Sequence, residues 1–373
     1  MSTGVVGAFR GAAVVVVVCA VPALGADAAP RFTARDLTPP TSAISGAYAM
    51  SSAGDVVGIA LSPTGDRYMF VDRAGVRSIA AAPAGAHQFR PTGINASGLV
   101  IGQFHPSPSS PQPVSFVSSA GVVTPIAPLG PRGGSGDGWI YATSINDAGD
   151  IVGRSTTASS DFEHLFRYRD GQNTDLGGEV AISAYVNNTG VIAADRFVNG
   201  SGSWPYRYAN GGGATILSVG NTVTGISHSG LIVGALKDTL ASAGYLYDPT
   251  TGQKRTIDTL GGPRTLPNGV NSEGWVVGTS DVTGGLERAF FFDRQRGPVD
   301  LNTLVDGLPA GTILTSAVAV NDAGQVAVNG TVNGAGRSFL LTPVPEPGAA
   351  VGLAAVGSWA LARRHPRRPG LSR

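Results

Sequence analysis

Cysteine is almost missing from this chain: Cys19 is the single one in 373 residues. It lies in an N-terminal stretch that reads as a leader, so the mature chain would hold none. That excludes disulfides, thiolate metal sites and cysteine nucleophiles together. Charge is also scarce. Asp, Glu, Lys and Arg make up 14% of the residues and leave a net charge of +1. There is no basic stripe to attract nucleic acid and no acidic block to gather cations. The five histidines, His87, His105, His164, His228 and His365, stand singly. None has the two-His-and-Glu helical spacing of a zinc protease.

Other familiar chemistry is missing in the same way. The Gly-rich run from Gly133 to Gly138 lacks the Lys-Ser/Thr that a phosphate loop requires. Asn146-Asp147-Ala148-Gly149-Asp150 has too few evenly spaced carboxylates for a calcium loop, and a hairpin turn accounts for it. Asp66, Asp72, Asp161 and Glu163 are the acids that folding would have to bring together for glycoside hydrolysis. No catalytic residue, cofactor-binding residue or metal ligand is assigned, and no cofactor is expected.

Glycine, by contrast, is abundant at 54 residues, and the hydrophobic share of 42% argues against disorder. Much of this glycine belongs to a phrase that returns seven times: Asn or Ser, two variable residues, Gly, then an apolar run. The copies centre on Gly54, Gly98, Gly149, Gly190, Gly230, Gly274 and Gly324. Spacing of this size is the mark of a repeat architecture. Within a unit the phrase reads as a turn, with Asn expected to tolerate and Gly to supply a left-handed φ. Further along, aromatics alternate with a period of two, as in Tyr68 and Phe70, Phe166 and Tyr168, or Phe290 and Phe292. These rings are expected to pack between sheets. A fourth piece, Asp-Leu, recurs at Asp175-Leu176, Asp258-Leu260 and Asp300-Leu301.

Four short strands repeated in this way predict an all-β fold, a seven-bladed β-propeller built from four-stranded repeats over residues 29–342. An Asp-Leu strand at the start, Phe32 to Leu37, has no unit before it, and the seventh unit has none after it. Pairing the first with the last would close the ring and remove exposed sheet edges. Function is expected on loops. The candidate ligand loops are the Pro-rich one that starts at His105 and the Gly-rich one that ends at Trp139, whose ring could stack on a sugar.

The repeats resemble the HAF family of extracellular repeats, in which an aromatic strand, an Asp-Leu-Gly-Gly segment and an Ile-Asn-x-x-Gly-x-Val-Val-Gly segment alternate. Asp258 to Gly262, followed by Gly269-Val270-Asn271-Ser272-Glu273-Gly274-Trp275-Val276-Val277-Gly278, carries the resemblance best. Ser51 and Ala194 depart from it. The family implies the fold and export without supplying a reaction.

The ends add an address. Arg10, an uncharged apolar stretch over 11–24 and small residues up to Ala29 read as a signal peptide over 1–28. At the other end, Val344-Pro345-Glu346-Pro347 precedes an uncharged stretch over 348–362. Arg363, Arg364, Arg367 and Arg368 follow as a basic stop. This 343–373 tail resembles the PEP-CTERM sorting signal. The resemblance implies an exported protein held transiently in the inner membrane and cut near the motif by an exosortase-type enzyme. It also implies a link to exopolysaccharide and biofilm. The expected role is a non-enzymatic binding scaffold at the cell surface or in the extracellular matrix, with polysaccharide as a partner and no nucleic acid. The alternative is a propeller hydrolase or lyase acting on extracellular polysaccharide.

Overall fold

The third strand of each repeat explains why the repeat folds as a sheet. Its central aromatic is buried in every unit: Phe70, Phe116, Phe166, Tyr206, Tyr245, Phe290 and Phe339. In five units the ring lies opposite the last Gly of the second strand, as in the pairs Gly58–Phe70, Gly102–Phe116 and Gly278–Phe290. A Cβ at those glycines would come within 2.5, 2.6 and 2.8 Å of the ring. Glycine is required here because the ring occupies the space that a side chain would fill.

The computed structural model describes residues 29–345, apart from 81–85, 111, 135–136, 199–201, 210–212, 218, 221 and 238–241. The signal peptide and the tail from Glu346 onward, including Pro347 and the arginines at 363, 364, 367 and 368, lie outside the described residues. Residues 31–344 form one unit. Blade 1 runs outward as Ile44–Met50, Val56–Leu61, Arg67–Arg73 and Val76–Ala80. The inner strands of blades 2 and 3 are His87–Ile94 and Ile140–Ile145. Blade 4 starts in the second half of Gln172–Val186, and blades 5, 6 and 7 start with Thr222–Ile226, Gly261–Val270 and Thr312–Val320. Seven blades result, in agreement with the repeat count.

The ring closes as the orphan strand predicts. Phe32–Asp36 pairs antiparallel with Ala335–Pro343, with Ala34 opposite Leu341 and Asp36 opposite Phe339. Phe32 is buried with its edge on Phe291 of blade 6, ring centroids 6.1 Å apart. Arg35 makes a bidentate pair with buried Asp72 of blade 1, at 2.8 and 2.7 Å. Arg77 donates to the same carboxylate at 3.1 Å and to the Thr38 carbonyl at 2.9 Å. The closing strand is thus held by two blades at once.

Two details differ from expectation. The Asp-Leu piece is not a strand of its own but the end of one. In blade 5 the outer strand is Gln253–Ile257, and Asp258 follows it. Asp36, Asp175 and Asp300 each accept the N–H two residues on, which turns the chain inward. The Leu then packs between blades: Leu37 and Leu301 are fully buried. The second difference concerns the turns. Each turn Gly has positive φ, for example Gly54 at 85° and Gly149 at 84°, but no turn Asn does. Asn is there for its side chain.

Candidate functional site

Each turn Asn does two things. Its Oδ1 accepts the N–H four residues on, which seals the hairpin, as in Asn146 from Asp150 at 2.8 Å and Asn271 from Trp275 at 2.9 Å. Its Nδ2 donates to the main chain of the next blade's turn. The donations run from Asn95 to Asn146, Asn146 to Asn187 and Asn187 to Ser227 at 3.0–3.1 Å. They continue from Asn271 to Asn321 at 3.2 Å and from Asn321 across the closure to Ser52 at 3.3 Å. Ser51 and Ser227 seal their own hairpins but cannot donate an amide. At those interfaces Arg73 bonds the Ala96 carbonyl at 3.1 Å, and the Ser229 N–H bonds Ser272 Oγ at 3.2 Å.

Three residues before the turn Asn or Ser, six inner strands carry a β-bulge, at Tyr48, Thr92, Thr143, Thr224, Asn268 and Val318. A bulge leaves one residue outside the ladder and re-aims its side chain. Here several of these side chains turn to the next blade. Thr92 donates to the Ala142 carbonyl at 2.9 Å, Thr143 to that of Ala184 at 2.6 Å, and Asn268 to that of Ala317 at 2.8 Å. Val318 cannot donate, and Asn329 on the neighbouring strand bonds both the N–H and the carbonyl of Ala47, at 2.7 and 2.9 Å. The buried Thr224 hydroxyl has no partner among the described residues.

These strands enclose an axial channel of about 720 Å³, lined by all seven blades. The seven residues that precede the turns are all apolar, from Met50 and Ile94 to Val270 and Val320, and they form a collar. Beyond the collar the positions are small, such as Ala49, Gly93 and Gly269, with Tyr185 as the exception. Farther out the wall turns polar, with Thr143, Asn268, Ser316 and Gln103, and it includes Tyr48, Arg90 and Leu266. The turn end is narrow: Ser52 Oγ of blade 1 reaches Asp147 of blade 3 at 2.6 Å. The site therefore opens at the other end. No Asp or Glu is among the described residues of the wall.

A search against protein-family models and curated proteins found no match. Among solved structures, the ring is similar to puromycin hydrolase, with 14% identity over 86% of this chain and 57% of that one, and a TM-score of 0.52. It is also similar to TolB from Acinetobacter baumannii, with 12% identity over 79% of this chain and 64% of that one, TM-score 0.45. A third is the β-propeller domain of the Trilobed protease from Pyrococcus furiosus, with 12% identity over 69% of this chain and 98% of that one, TM-score 0.39. The likeness is one of fold. The chain spans only about three fifths of the first two proteins, at 57% and 64% of their lengths.

Neither candidate loop residue lines the channel. His105 ends its strand, and its Nδ1 sits 3.0 Å from the Ser110 carbonyl oxygen. Trp139 precedes its strand half-buried, its indole N–H on Glu163 at 3.1 Å and the Arg132 guanidinium 5.5 Å over its ring. The three acids whose side chains are described do not converge. Asp66 accepts from Thr64 in an exposed turn, Asp72 is inside the closure, and Glu163 is between Trp139 and Arg154. The Asp161 side chain lies outside the described residues. Among the described residues no three His, Cys, Asp or Glu side chains gather as for a metal ion. The channel was the part of the site that sequence reasoning missed. Its signal was present: an apolar residue stands immediately before every turn.

Proposed function

We propose that this is an exported, non-enzymatic binding propeller at the cell surface, and that the axial channel holds extracellular polysaccharide. The channel carries this reading: it is a cavity with an apolar floor and a polar rim, built on strands that hydrogen bonds tie blade to blade. Cavities of this size hold small ligands or single chain units. Two carboxylates flanking a glycosidic bond would be needed for hydrolysis, and the described wall provides none.

The address fits the same picture. Val344 N–H donates to the Arg31 carbonyl at 2.8 Å, so the ring's two ends leave side by side. They do so on the face of the turns, where Pro343 lies against Gly324. Cleavage by an exosortase-type enzyme near Val344, Pro345, Glu346 and Pro347 would then leave the channel mouth untouched. The arginines at 363, 364, 367 and 368 would hold the uncut tail on the cytoplasmic side of the inner membrane.

Two measurements test this. The full chain, solubilised in detergent, is titrated with a panel of bacterial exopolysaccharide oligomers, and binding without release of shorter products is expected. Product release would make it an enzyme, and no binding at all would overturn the polysaccharide reading. Intact mass spectrometry of the surface form should show a chain ending near Pro347. A mass that includes Arg363 and Arg364 would replace the sorting tail with a permanent anchor.

A further inference from the structure

We infer that the channel selects an acidic sugar, a unit bearing a carboxylate of the uronic-acid type, through the guanidinium of Arg90. The inference rests on the polysaccharide reading of this site and adds its chemical class.

Arg90 sits on the inner strand of blade 2, five residues before the turn Asn95, opposite Gln103 in register. Other arginines of the ring are neutralised: Arg35, Arg73, Arg169 and Arg264 each meet a carboxylate within 3.0 Å. Arg90 meets a ring instead. Its guanidinium lies 5.1 Å from the centroid of Tyr48 of blade 1, and it remains exposed in the channel wall. Contact with a ring face orients a guanidinium without using its charge, and it leaves the N–H fork free for an oxyanion.

The rest of the described wall is neutral, so the channel field is positive at this level. A carboxylate on Arg90 gains charge-assisted, bidentate hydrogen bonds of the strong kind. Holding the fork in place beforehand lowers the ordering cost of binding. Gln103 and Ser316 provide neutral donors and acceptors of the kind that hydroxyls use, and Tyr185 provides a ring toward the collar. A peptide would bring an ammonium or further cations as well, and the described residues of the wall include no acid to receive them.

The test uses the full chain in detergent with oligomers of galacturonate, mannuronate and glucuronate, each beside its carboxyl-reduced counterpart. Reduction removes only the carboxylate. At least one acidic oligomer should bind about tenfold tighter than its reduced form, a margin that shrinks as salt rises. Arg90→Gln should abolish that margin with the melting temperature unchanged, and Tyr48→Leu should narrow it. Equal binding of acidic and reduced forms, or a margin that survives in Arg90→Gln, would overturn the inference and leave the polysaccharide reading standing. Binding of no oligomer would remove both. A peptide with a free C-terminal carboxylate that binds where no sugar does would assign Arg90 to a protein partner instead.

Discussion

A turn Asn is read from sequence as a residue that tolerates an unusual backbone, but its backbone here is ordinary and its amide is what matters. Five such amides span blade interfaces, and Ser51 and Ser227 mark the two interfaces where the bond is made otherwise. The two halves of the side chain can be separated experimentally. Asn146→Ser retains an oxygen for the Asp150 N–H but loses the bond to Asn187. The expected cost is about 1–2 kcal/mol, the price of a lost hydrogen bond to a buried carbonyl. Thermal unfolding measures it. A variant as stable as the parent would show that the circumferential bonds add nothing to the ring.

At the scale of the strand, two features fit each other. In blades 2, 3 and 6 the bulge on the inner strand directs a polar side chain toward the next blade. The Gly on the second strand lets the third strand's ring lie flat beneath it. Gly234 shows how tight this is. A Cβ there would fall against the Thr222 carbonyl and 2.6 Å from the Tyr245 hydroxyl, which itself bonds that carbonyl at 2.9 Å. Burial pushes the Tyr245 hydroxyl far above its ordinary range, with Asp195 adding to the shift, so it remains a neutral donor. Gly234→Ala should therefore cost about 3 kcal/mol, the upper part of the usual range for overpacking. Ala194 is tolerated at the same place in blade 4, where the strand pairs regularly from Ala184 to Val186. Chemical denaturation checks this, and a cost below about 1 kcal/mol would mean that the ring can move aside.

For the whole molecule, stability depends on the closure, and the closure depends on Asp72. Burial pushes its carboxyl up, but the Arg35 hydrogen bond and charge, with Arg77 and the Gly75 N–H, outweigh that and hold it below the ordinary value of 3.8. A lowered folded pKa contributes stability that is complete above the unfolded value and lost as pH falls through the folded one. The melting temperature should then drop on acidification below about pH 4, the ordinary carboxylate range. Asp72→Asn should lower stability at neutral pH by about 3 kcal/mol, the lower end for one partner lost from a buried pair, because Arg35 and Arg77 reach solvent. It should also flatten the acid limb. Curves that remain parallel from pH 7 to pH 3 would place the acid sensitivity on other carboxylates.

Blade number, the closing strand and the aromatic layer were legible in the sequence. Each follows from short-range periodicity, repeated seven times, and repetition makes a weak local pattern plain. The two end signals are expectations drawn from the same kind of local pattern, and apart from 343–345 they lie outside the described residues. The axial channel and the belts around it were decided by the tertiary structure. Asn146 and Asn187 are 41 residues apart, and Asn329 and Ala47 are 282 apart. Nothing local separates a Thr that bonds the next blade from one that faces solvent. Arg90 is likewise one more arginine in a strand until blade 2 packs on blade 1. That packing sets Tyr48 beside it, and no acid among the described residues of the wall, and this gives the wall its charge.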